Sequence, residues 1–227
     1  MHRGRRAERF ADRVEAGRAL GALVAERLRG RADVIVLGLP RGGVPVAAEV
    51  ARALGAPLDV LLVRKVGVPG QPELAMGAVA AIGPGSATAV EVVSNEPVLA
   101  RLHLPEAVFR SVLDQEMVEL RRRGRAYRGD RPPPDVRGRT VIIVDDGLAT
   151  GSTMLAAATA VKGANPKAVV VAVPVAASET CQALQSHVDD VVCATTPEPF
   201  RAVGLWYRDF AQVDDAEVHA LLEEAPK

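Results

Sequence analysis

The chain has 227 residues, 48% hydrophobic and 25% charged, and its 28 basic side chains balance its 28 acidic ones. This length predicts one domain with a core large enough to need no metal or disulfide for stability. Zero net charge excludes a whole-molecule electrostatic attraction to nucleic acid, and the abundance of apolar residues excludes disorder as the dominant state. No apolar run follows the basic N-terminal residues as in a secretory signal, so we expect a cytoplasmic protein.

In chain order, the first half of the sequence alternates helix and strand patterns. Apolar residues at helical spacing predict an amphipathic helix over residues 6–28, and a short apolar run predicts a strand over residues 33–37. A helix that ends near Leu54 and a strand over residues 58–63 complete a strand–helix–strand unit, whose continuous apolar strands predict a parallel sheet covered on both faces. Two prolines and two glycines among residues 64–76 predict a long, mobile loop.

The middle of the chain carries a different pattern. Strands over residues 77–82 and 87–93 flank the sequence Gly-Pro-Gly-Ser and predict a hairpin at the edge of the sheet. Helical sequence then covers residues 96–127 with a break near Pro105, and three consecutive prolines mark residues 130–138 as a connector.

The second half returns to the alternation of strands and helices. The most apolar strand covers residues 140–144 and precedes an alanine-rich helix that ends at Lys162. The remaining predicted elements are a strand over residues 168–173, a helix from Ser178, a strand over residues 188–193 and a helix from Asp215. Together these elements predict an α/β fold with a mostly parallel five-stranded core sheet, helices on both faces and an antiparallel flap at one edge.

Two further features are interpreted as structural. Cys181 and Cys193 match no metal-ligand spacing, and two cysteines in a chain of this length suit a reducing compartment, so they are interpreted as small apolar residues. The arginines of the N-terminal helix alternate with Glu8, Asp12 and Glu15 and are interpreted as partners in ion pairs one helical turn apart.

The strongest chemical signal lies between Val141 and Thr153. A buried strand ends at Asp145 and Asp146, and ligands of open α/β sheets bind at that end of the strands. The loop that follows leads into a helix N-terminus, and its members are Gly147, Leu148, Ala149, Thr150, Gly151, Ser152 and Thr153. Unpaired backbone N–H groups and the helix dipole favour a phosphate there, while the adjacent acids suit the vicinal hydroxyls of a sugar. The layout predicts a sugar 5′-phosphate site; the alternative is a strand–turn–helix corner with a capping hydroxyl.

This thirteen-residue pattern resembles the phosphoribosyl-diphosphate-binding signature of type I phosphoribosyltransferases. The resemblance implies transfer of ribose 5-phosphate from phosphoribosyl diphosphate to a nucleophile, with a nitrogenous base as the expected acceptor, and release of pyrophosphate. Asp145 and Asp146 would bind the ribose hydroxyls and stabilise an oxocarbenium-like transition state, and either could take the acceptor's proton. Mg²⁺ is the expected cofactor, bridging diphosphate and ribose oxygens near these acids rather than occupying a cage of protein ligands.

A second motif, Leu39-Pro40-Arg41-Gly42-Gly43, follows the first strand. By itself it is typical of a tight turn, but beside the first motif it resembles the pyrophosphate loop of the same family. In that loop Arg41 and the N–H groups of Gly42 and Gly43 would hold the diphosphate and stabilise it as it leaves. The resemblance also implies a cis peptide bond between Pro40 and Arg41.

The segment of residues 64–76 occupies the place of the family's flexible catalytic loop. Arg64 and Lys65 would reach the diphosphate, with Lys65 assisting its departure, and Glu73 is the segment's only carboxylate. The alternative is that Arg64 and Lys65 solvate the end of a strand. A lid at this position would exclude water from an activated ribosyl centre.

The aromatic tail over residues 196–210, together with the N-terminal helix, resembles a bacterial branch of the family. Terminal segments form a variable hood over the acceptor in the wider family, so Phe200 and Trp206 are candidate groups to stack on the acceptor. The alternative is an aromatic minicore packed on the N-terminal helix. The resemblance thus implies one domain over residues 1–227, with a core over about 30–195 and a small hood from the N-terminal helix and residues 196–227.

Two other functions compete with the transferase. A non-catalytic module that senses phosphoribosyl diphosphate or a nucleotide would share the same phosphate loop, so the motif does not separate it from an enzyme. A hydrolase is disfavoured because the adjacent acids lack a nucleophile partner. We expect small-molecule partners, no nucleic acid and no membrane, and a homo-oligomer is compatible with the sequence.

Overall fold

Eight strands and seven α-helices make up the part of the chain that the computed structural model describes, which is residues 9–83 and 89–225 without the side chains of residues 72 and 73. In chain order they are α1 (Arg13–Arg27), β1 (Val34–Gly38), α2 (Gly43–Leu54), β2 (Leu58–Val60), β3 (Val63–Val68), β4 (Gln71–Ala80), β5 (Glu91–Ser94), α3 (Glu96–Leu102), α4 (Glu106–Arg128), β6 (Thr140–Val144), α5 (Ser152–Gly163), β7 (Ala168–Val175), α6 (Ser178–Gln185), β8 (Asp190–Thr195) and α7 (Asp215–Glu224). A 3₁₀ turn, Val203–Trp206, precedes α7.

Five parallel strands form the central sheet in the order β2-β1-β6-β7-β8. Every residue of β1 and β6 is buried, because helices cover both faces of the sheet and leave no polar side for these strands. Residues that alternate along β6 therefore enter two different cores: Ile142 packs with α1, α2 and α7, while Ile143 packs with α5 and α6. The predicted α/β fold with a parallel five-stranded sheet is confirmed.

The prediction of an irregular loop over residues 64–76 is wrong, because this segment forms a β-hairpin, and its mobility stays a prediction. Strands β3 and β4 pair antiparallel, and β4 pairs in turn with β5, so the flap is a separate three-stranded sheet that takes in residues expected to be irregular. Pro69 and Gly70 occupy the two-residue turn, and Gly67 lies where the register shifts, so these breakers interrupt no regular pairing. On the two strands of the hairpin, Val66 and Met76 are fully buried against α3 and α4.

The other strands next to the flap also differ in their boundaries from the predicted strands. The strand predicted over residues 58–63 is divided, since β2 belongs to the parallel sheet and β3 to the antiparallel one. The predicted pairing of residues 77–82 with 87–93 is present as β4 against β5, and the connection over residues 84–88 lies outside the described residues.

The helices follow the predicted pattern with one shortened end. Helix α1 begins at Arg13 rather than at residue 6, because the Asp12 side chain accepts a hydrogen bond from Glu15 N and caps the first turn. Residues 1–8 lie outside the described part of the chain. The break near Pro105 is present between α3 and α4. Among the described residues, we find no helix with the length and apolar character needed to cross a bilayer.

Cys181 and Cys193 form a disulfide that joins α6 to β8, so their interpretation as separate apolar residues is wrong. Their Cα atoms lie 6.8 Å apart, although the sequence separates them by 12 residues. The pairing follows from the packing of α6 beside the edge strand, which local sequence patterns do not encode. It closes a small loop at the far edge of the sheet from the hairpin.

Candidate functional site

The predicted motifs converge at the carboxyl ends of the parallel strands. Residues 39–42 follow β1, residues 145–151 follow β6, and β3 begins shortly after β2. Backbone hydrogen bonds hold two of these ends together, since Leu39 N donates to Val144 O at 2.8 Å. The topology therefore places the two motifs side by side, at the edge of the sheet where ligands bind in folds of this kind.

Asp145 and Asp146 lie at the centre of this edge, both partly buried. The Oδ1 atom of Asp145 accepts a hydrogen bond from Asp146 N at 2.8 Å, and Asp146 Oδ2 accepts one from Arg13 Nε at 2.9 Å. Burial, followed by the neighbouring charge of Asp146, raises the pKa of Asp145 well above its ordinary value. Burial also raises the pKa of Asp146, and the Arg13 guanidinium opposes that rise. The two acids therefore differ in how readily they hold a negative charge.

The glycines of the second motif allow a close approach to these acids. A Cβ on Gly42 would lie 2.1 Å from Asp146 Oδ2, and a Cβ on Gly43 would lie 2.7 Å from Val144 O, so neither position has room for a side chain. The peptide bond between Pro40 and Arg41 is cis, as the resemblance implied. The Arg41 side chain is half exposed, and its Nη1 lies 3.7 Å from Asp215 Oδ1 at the start of α7.

The loop between β6 and α5 presents a row of unpaired backbone donors. Within the described part of the chain, no group accepts a hydrogen bond from the backbone N–H groups of residues 149–153. Gly151 adopts φ +70° and a Cβ there would lie 2.7 Å from Thr180 Cγ2, so the turn requires glycine. The hydroxyls of Thr150 and Ser152 lie 3.3 Å apart beside these donors. Free N–H groups at a helix N-terminus are suited to bind an anion.

The residues of this loop divide between core and surface. Leu148 is buried in the core, so its side chain is not available to a ligand, and Gly147 is packed below Val203 of the tail. Ala149, Thr150 and Thr153 are exposed. The part of the motif that faces outward is therefore the part that carries the unpaired N–H groups.

A cavity of about 1040 Å³ lies between the hairpin and α4. Its inner end is formed by Pro40 of the second motif and by Thr153 at the start of α5, and Arg64 and Lys65 line its wall. Arg64 Nε donates to Glu116 Oε2 on α4 at 2.5 Å. The cavity thus brings the cations of the hairpin to the same space as both motifs. Glu73 belongs to β4, but its side chain lies outside the described residues.

The aromatic tail packs against the beginning of α1. Phe200 and Trp206 lie in a cluster with Phe10, Ala16 and Tyr207, which is the arrangement expected for a minicore. Both rings remain partly exposed, and neither lines the large cavity. Their stacking on an acceptor stays a prediction.

Two residues of the site could not be predicted from the sequence patterns. Arg13 reaches Asp146 across 133 positions of sequence, and the Tyr207 hydroxyl donates a hydrogen bond to the carbonyl oxygen of Asp146. Arg13 was interpreted with the other arginines of α1 as a surface ion-pair partner, and the pairing with Asp146 corrects that interpretation. Burial beside Asp146 raises the pKa of Tyr207, so its hydroxyl stays protonated and remains a donor. No local signal marks either residue, because both contacts depend on how the termini pack over the sheet.

The side chains around the acids provide few ligands for a metal ion. Among the described residues, no group of three or more His, Cys, Asp or Glu side chains could hold a metal ion. Asp146 already shares one oxygen with Arg13. These residues fit a metal ion that arrives with most of its ligands supplied by a diphosphate and by water, and they do not fit a resident ion in a protein cage.

Comparisons with known proteins agree with this geometry. A sequence model of the phosphoribosyl transferase domain matches residues 8–205. The crystal structure of TT1426 from Thermus thermophilus superposes with a TM-score of 0.83 at 42% sequence identity, covering 96% of this chain and 100% of that one. The Mycobacterium tuberculosis H37Rv protein named "Putative phosphoribosyl transferase Rv0571c" is 46% identical over 216 residues, which are 95% of this chain and 47% of that protein. The chain therefore spans about half the length of the curated relatives it matches.

Proposed function

Because the chain belongs to the phosphoribosyl transferase domain family, we propose that it transfers ribose 5-phosphate from phosphoribosyl diphosphate to a nucleophile and releases pyrophosphate. One observation carries this proposal: two adjacent acids lie beside a row of unpaired N–H groups, under a glycine loop that admits no side chain. A phosphate, a sugar diol and a diphosphate together match these three neighbouring surfaces. A structural corner would need only one capping group.

Each group of the sugar phosphate has a partner in this proposal. The 5′-phosphate binds the N–H groups of residues 149–153 and the hydroxyls of Thr150 and Ser152, while the ribose hydroxyls bind Asp145 and Asp146. The diphosphate binds the N–H group of Gly42 and the cations that line the cavity. The predicted use of the Gly43 N–H group does not hold, because that group donates to Leu39 O at 3.0 Å. Arg41 joins them by leaving Asp215, an exposed pair whose loss costs little.

The acids have different tasks because their surroundings differ. Asp146 faces Arg13, which favours its ionised form, so we assign to Asp146 the negative charge that stabilises an oxocarbenium-like ribosyl centre. Asp145 has the more strongly raised pKa, so we assign to it the proton that the acceptor loses. Asp145 and Asp146 lie where Mg²⁺ would be held together with the diphosphate, and the ion would neutralise charge on the leaving group.

The acceptor is proposed to be a nitrogenous base held under the hood of α1 and the tail. Phe200 and Trp206 are partly exposed and lie within the segment that packs beside Asp146 and Gly147, so a planar ring could stack on them. The cavity beside α4 is the second place large enough for an acceptor.

The test is a pyrophosphate-release assay with phosphoribosyl diphosphate, Mg²⁺ and a panel of purine and pyrimidine bases. We expect release that depends on one class of base and falls at least about a hundredfold in the Asp145→Asn/Asp146→Asn double variant. Asp135→Asn, which removes a partly exposed acid paired with Arg137, is the matched control and should keep full activity. Tight binding of phosphoribosyl diphosphate with no release for any base would favour the sensing module, and no binding at all would refute both functions.

A further inference from the structure

The two carboxylate oxygens of Asp146 have different surroundings. Oδ2 accepts the hydrogen bond from Arg13 Nε and lies against Gly42, where any Cβ would collide with it. Among the described residues none donates a hydrogen bond to Oδ1, and this oxygen keeps contact with solvent. The protein therefore fixes one oxygen of the carboxylate and leaves the other available to a ligand.

Arg13 is itself held from three sides. Its Nε donates to Asp146, its Nη1 donates to Ala211 O at 2.7 Å, and its guanidinium carbon lies 3.9 Å from the centre of the Phe210 ring. The side chain is only 12% exposed. The tail also contacts the acid directly, because the Tyr207 hydroxyl donates to the carbonyl oxygen of Asp146. Segments from both ends of the described chain thus determine where one carboxylate points.

A second arginine of the same helix, Arg18, also pairs with an acid, but its own side chain stays mostly exposed. Arg18 pairs with Glu49 at 3.3 Å, and its side chain is 71% exposed. Glu49 itself is buried and also pairs with Arg52, whereas the Arg18 guanidinium extends into solvent, which screens its charge. Arg13 differs because its donors point in two directions, to a carboxylate and to a backbone carbonyl, and because its planar group rests on an aromatic face. This geometry fixes the orientation of the Asp146 carboxylate in addition to balancing its charge.

We propose that Arg13 is a positioning residue of the ribose site: by holding Oδ2 it directs Oδ1 of Asp146 toward a ribose hydroxyl. The proposal rests on the proposed function, because it takes the sugar hydroxyls to be ligands of Asp146. It gives α1 and the tail a part in recognising the sugar, separate from any part in covering the acceptor. The positioning depends on the packing of α1 against the tail, because both segments hold Arg13 in place.

Two ligands that differ only in their hydroxyls test the proposal. 1,4-Anhydroribitol 5-phosphate has the ring, the phosphate and both hydroxyls, whereas tetrahydrofurfuryl phosphate has the ring and the phosphate alone. Calorimetry should show that the unmodified chain prefers the diol by about tenfold or more. In Arg13→Met that preference should fall to near unity, while the affinity for tetrahydrofurfuryl phosphate stays unchanged.

Three further variants separate positioning from stability. Arg18→Met is the matched control on the same helix and should keep the full preference. Arg13→Lys should recover part of it, because an ammonium keeps the charge but lacks the fork that reaches both Asp146 and Ala211. Phe210→Leu removes the ring that supports the guanidinium and should lower the preference severalfold, which provides a second test if Arg13→Met does not fold.

The outcomes distinguish the two proposals. An intact diol preference in Arg13→Met, or in Phe210→Leu where Arg13→Met is unfolded, overturns the positioning role and leaves the proposed function standing. An equal loss of affinity for both ligands also overturns it, since that result indicates a structural role. Failure of the unmodified chain to bind either ligand counts against the proposed function itself.

Discussion

Asp145 and Asp146 are neighbours in sequence, yet different groups surround their carboxylates. Asp145 accepts a backbone hydrogen bond from Asp146 N and has no ion-pair partner among the described residues, whereas Asp146 is paired with Arg13. At the scale of single residues, this asymmetry is the basis for the different tasks proposed for the two acids. Predictions at this scale concern the acids and the hydroxyls of the phosphate loop.

The first prediction concerns stability. The pKa of Asp145 is raised in the folded state, so the folded chain binds more protons than the unfolded chain between about pH 4 and that raised pKa. Stability is therefore lost as the pH rises through this interval. Asp145→Asn removes this loss, so it should raise the free energy of unfolding by about 1 kcal/mol near neutral pH. Denaturant titrations at several pH values measure the effect.

Two comparisons test whether the gain in the free energy of unfolding comes from the ionisation of Asp145. The unmodified chain and Asp145→Asn should converge in stability below about pH 4, where the carboxyl is protonated in both states. Asp146→Asn should gain less, because Arg13 would lose its charged partner. Equal gains for the two variants, or a gain that does not depend on pH, would contradict the proposed difference between the acids.

The second prediction concerns the phosphate. Thr150→Ala or Ser152→Ala should weaken the binding of nucleoside 5′-monophosphates by about 1–2 kcal/mol, because each removes a hydroxyl donor to a charged group. Nucleosides without phosphate should bind the variants and the unmodified chain alike, as calorimetry can measure. Thr159→Ala, farther along α5, removes a hydroxyl bonded to Leu155 O and should have no effect on either ligand. Equal losses for nucleoside and nucleotide would indicate a structural corner.

At the scale of secondary-structure elements, the prolines and glycines of residues 64–76 predicted a loop where the chain forms the hairpin of β3 and β4. Its breaker residues fall at a turn and at a register shift, while Val66 and Met76 pack on α3 and α4. The hairpin therefore has an anchored base and an exposed tip at Pro69 and Gly70. If the hairpin acts as a lid, we expect it to move at this tip, because its strand pairing is irregular there.

The third prediction concerns the motion of that tip. Hydrogen exchange should be slow for the backbone amides of the paired residues Arg64 and Lys65 and fast for those of residues 67–71, because only the latter lie at the irregular end. Adding phosphoribosyl diphosphate with Mg²⁺ should slow exchange at the tip. Residues 190–195 of β8, remote from the cavity, serve as the internal control. Unchanged exchange at the tip on adding the ligand would remove the hairpin from the mechanism.

The fourth prediction concerns the disulfide between α6 and β8. A cross-link that closes a loop of this length restricts the unfolded chain, so replacing both Cys181 and Cys193 by Ser should lower the free energy of unfolding by about 2–3 kcal/mol. Reducing agent should destabilise the unmodified chain by a similar amount and leave the double variant unaffected. A reductant effect of equal size on both proteins would show that the cysteines are not bonded in solution.

At the scale of the whole molecule, two places could receive the acceptor. The hood of α1 and the tail lies beside Asp146 and Gly147. The large cavity lies between the hairpin and α4. Aromatic rings are present in the hood cluster, and the described residues that line the cavity include none. Under the proposed function we therefore expect a planar heterocycle at the hood, and a larger acceptor with apolar surface at the cavity.

The fifth prediction distinguishes these places with Trp206, the only tryptophan. Its ring is partly exposed beside Phe200 and Tyr207, so a base stacked on the hood should quench or shift its fluorescence. Purine and pyrimidine monophosphates should produce this change, and ribose 5-phosphate should not. Binding of the nucleotides by calorimetry without any change in fluorescence would place the acceptor at the cavity instead.

Local patterns in the sequence determined much of this protein. The parallel strands, the break between α3 and α4, and the motifs after β1 and β6 follow from periodicity, apolar runs and turn residues, which act over a few neighbouring positions. The parallel pairing of β1 and β6 also brought the two motifs to the same edge, since parallel strands end together. These features could be predicted because short-range chemistry specifies them.

Only the tertiary structure decided how the termini and the flap complete the site. Arg13 meets Asp146 across 133 positions, Cys181 meets Cys193 through the packing of α6 on β8, and the hairpin forms because α3 and α4 offer it an apolar surface. Each of these contacts is made possible by the burial of surfaces that are distant in sequence, so no local pattern indicates it. The two acids could be predicted from the sequence, whereas the arginine that pairs with Asp146 is identified only in the folded chain.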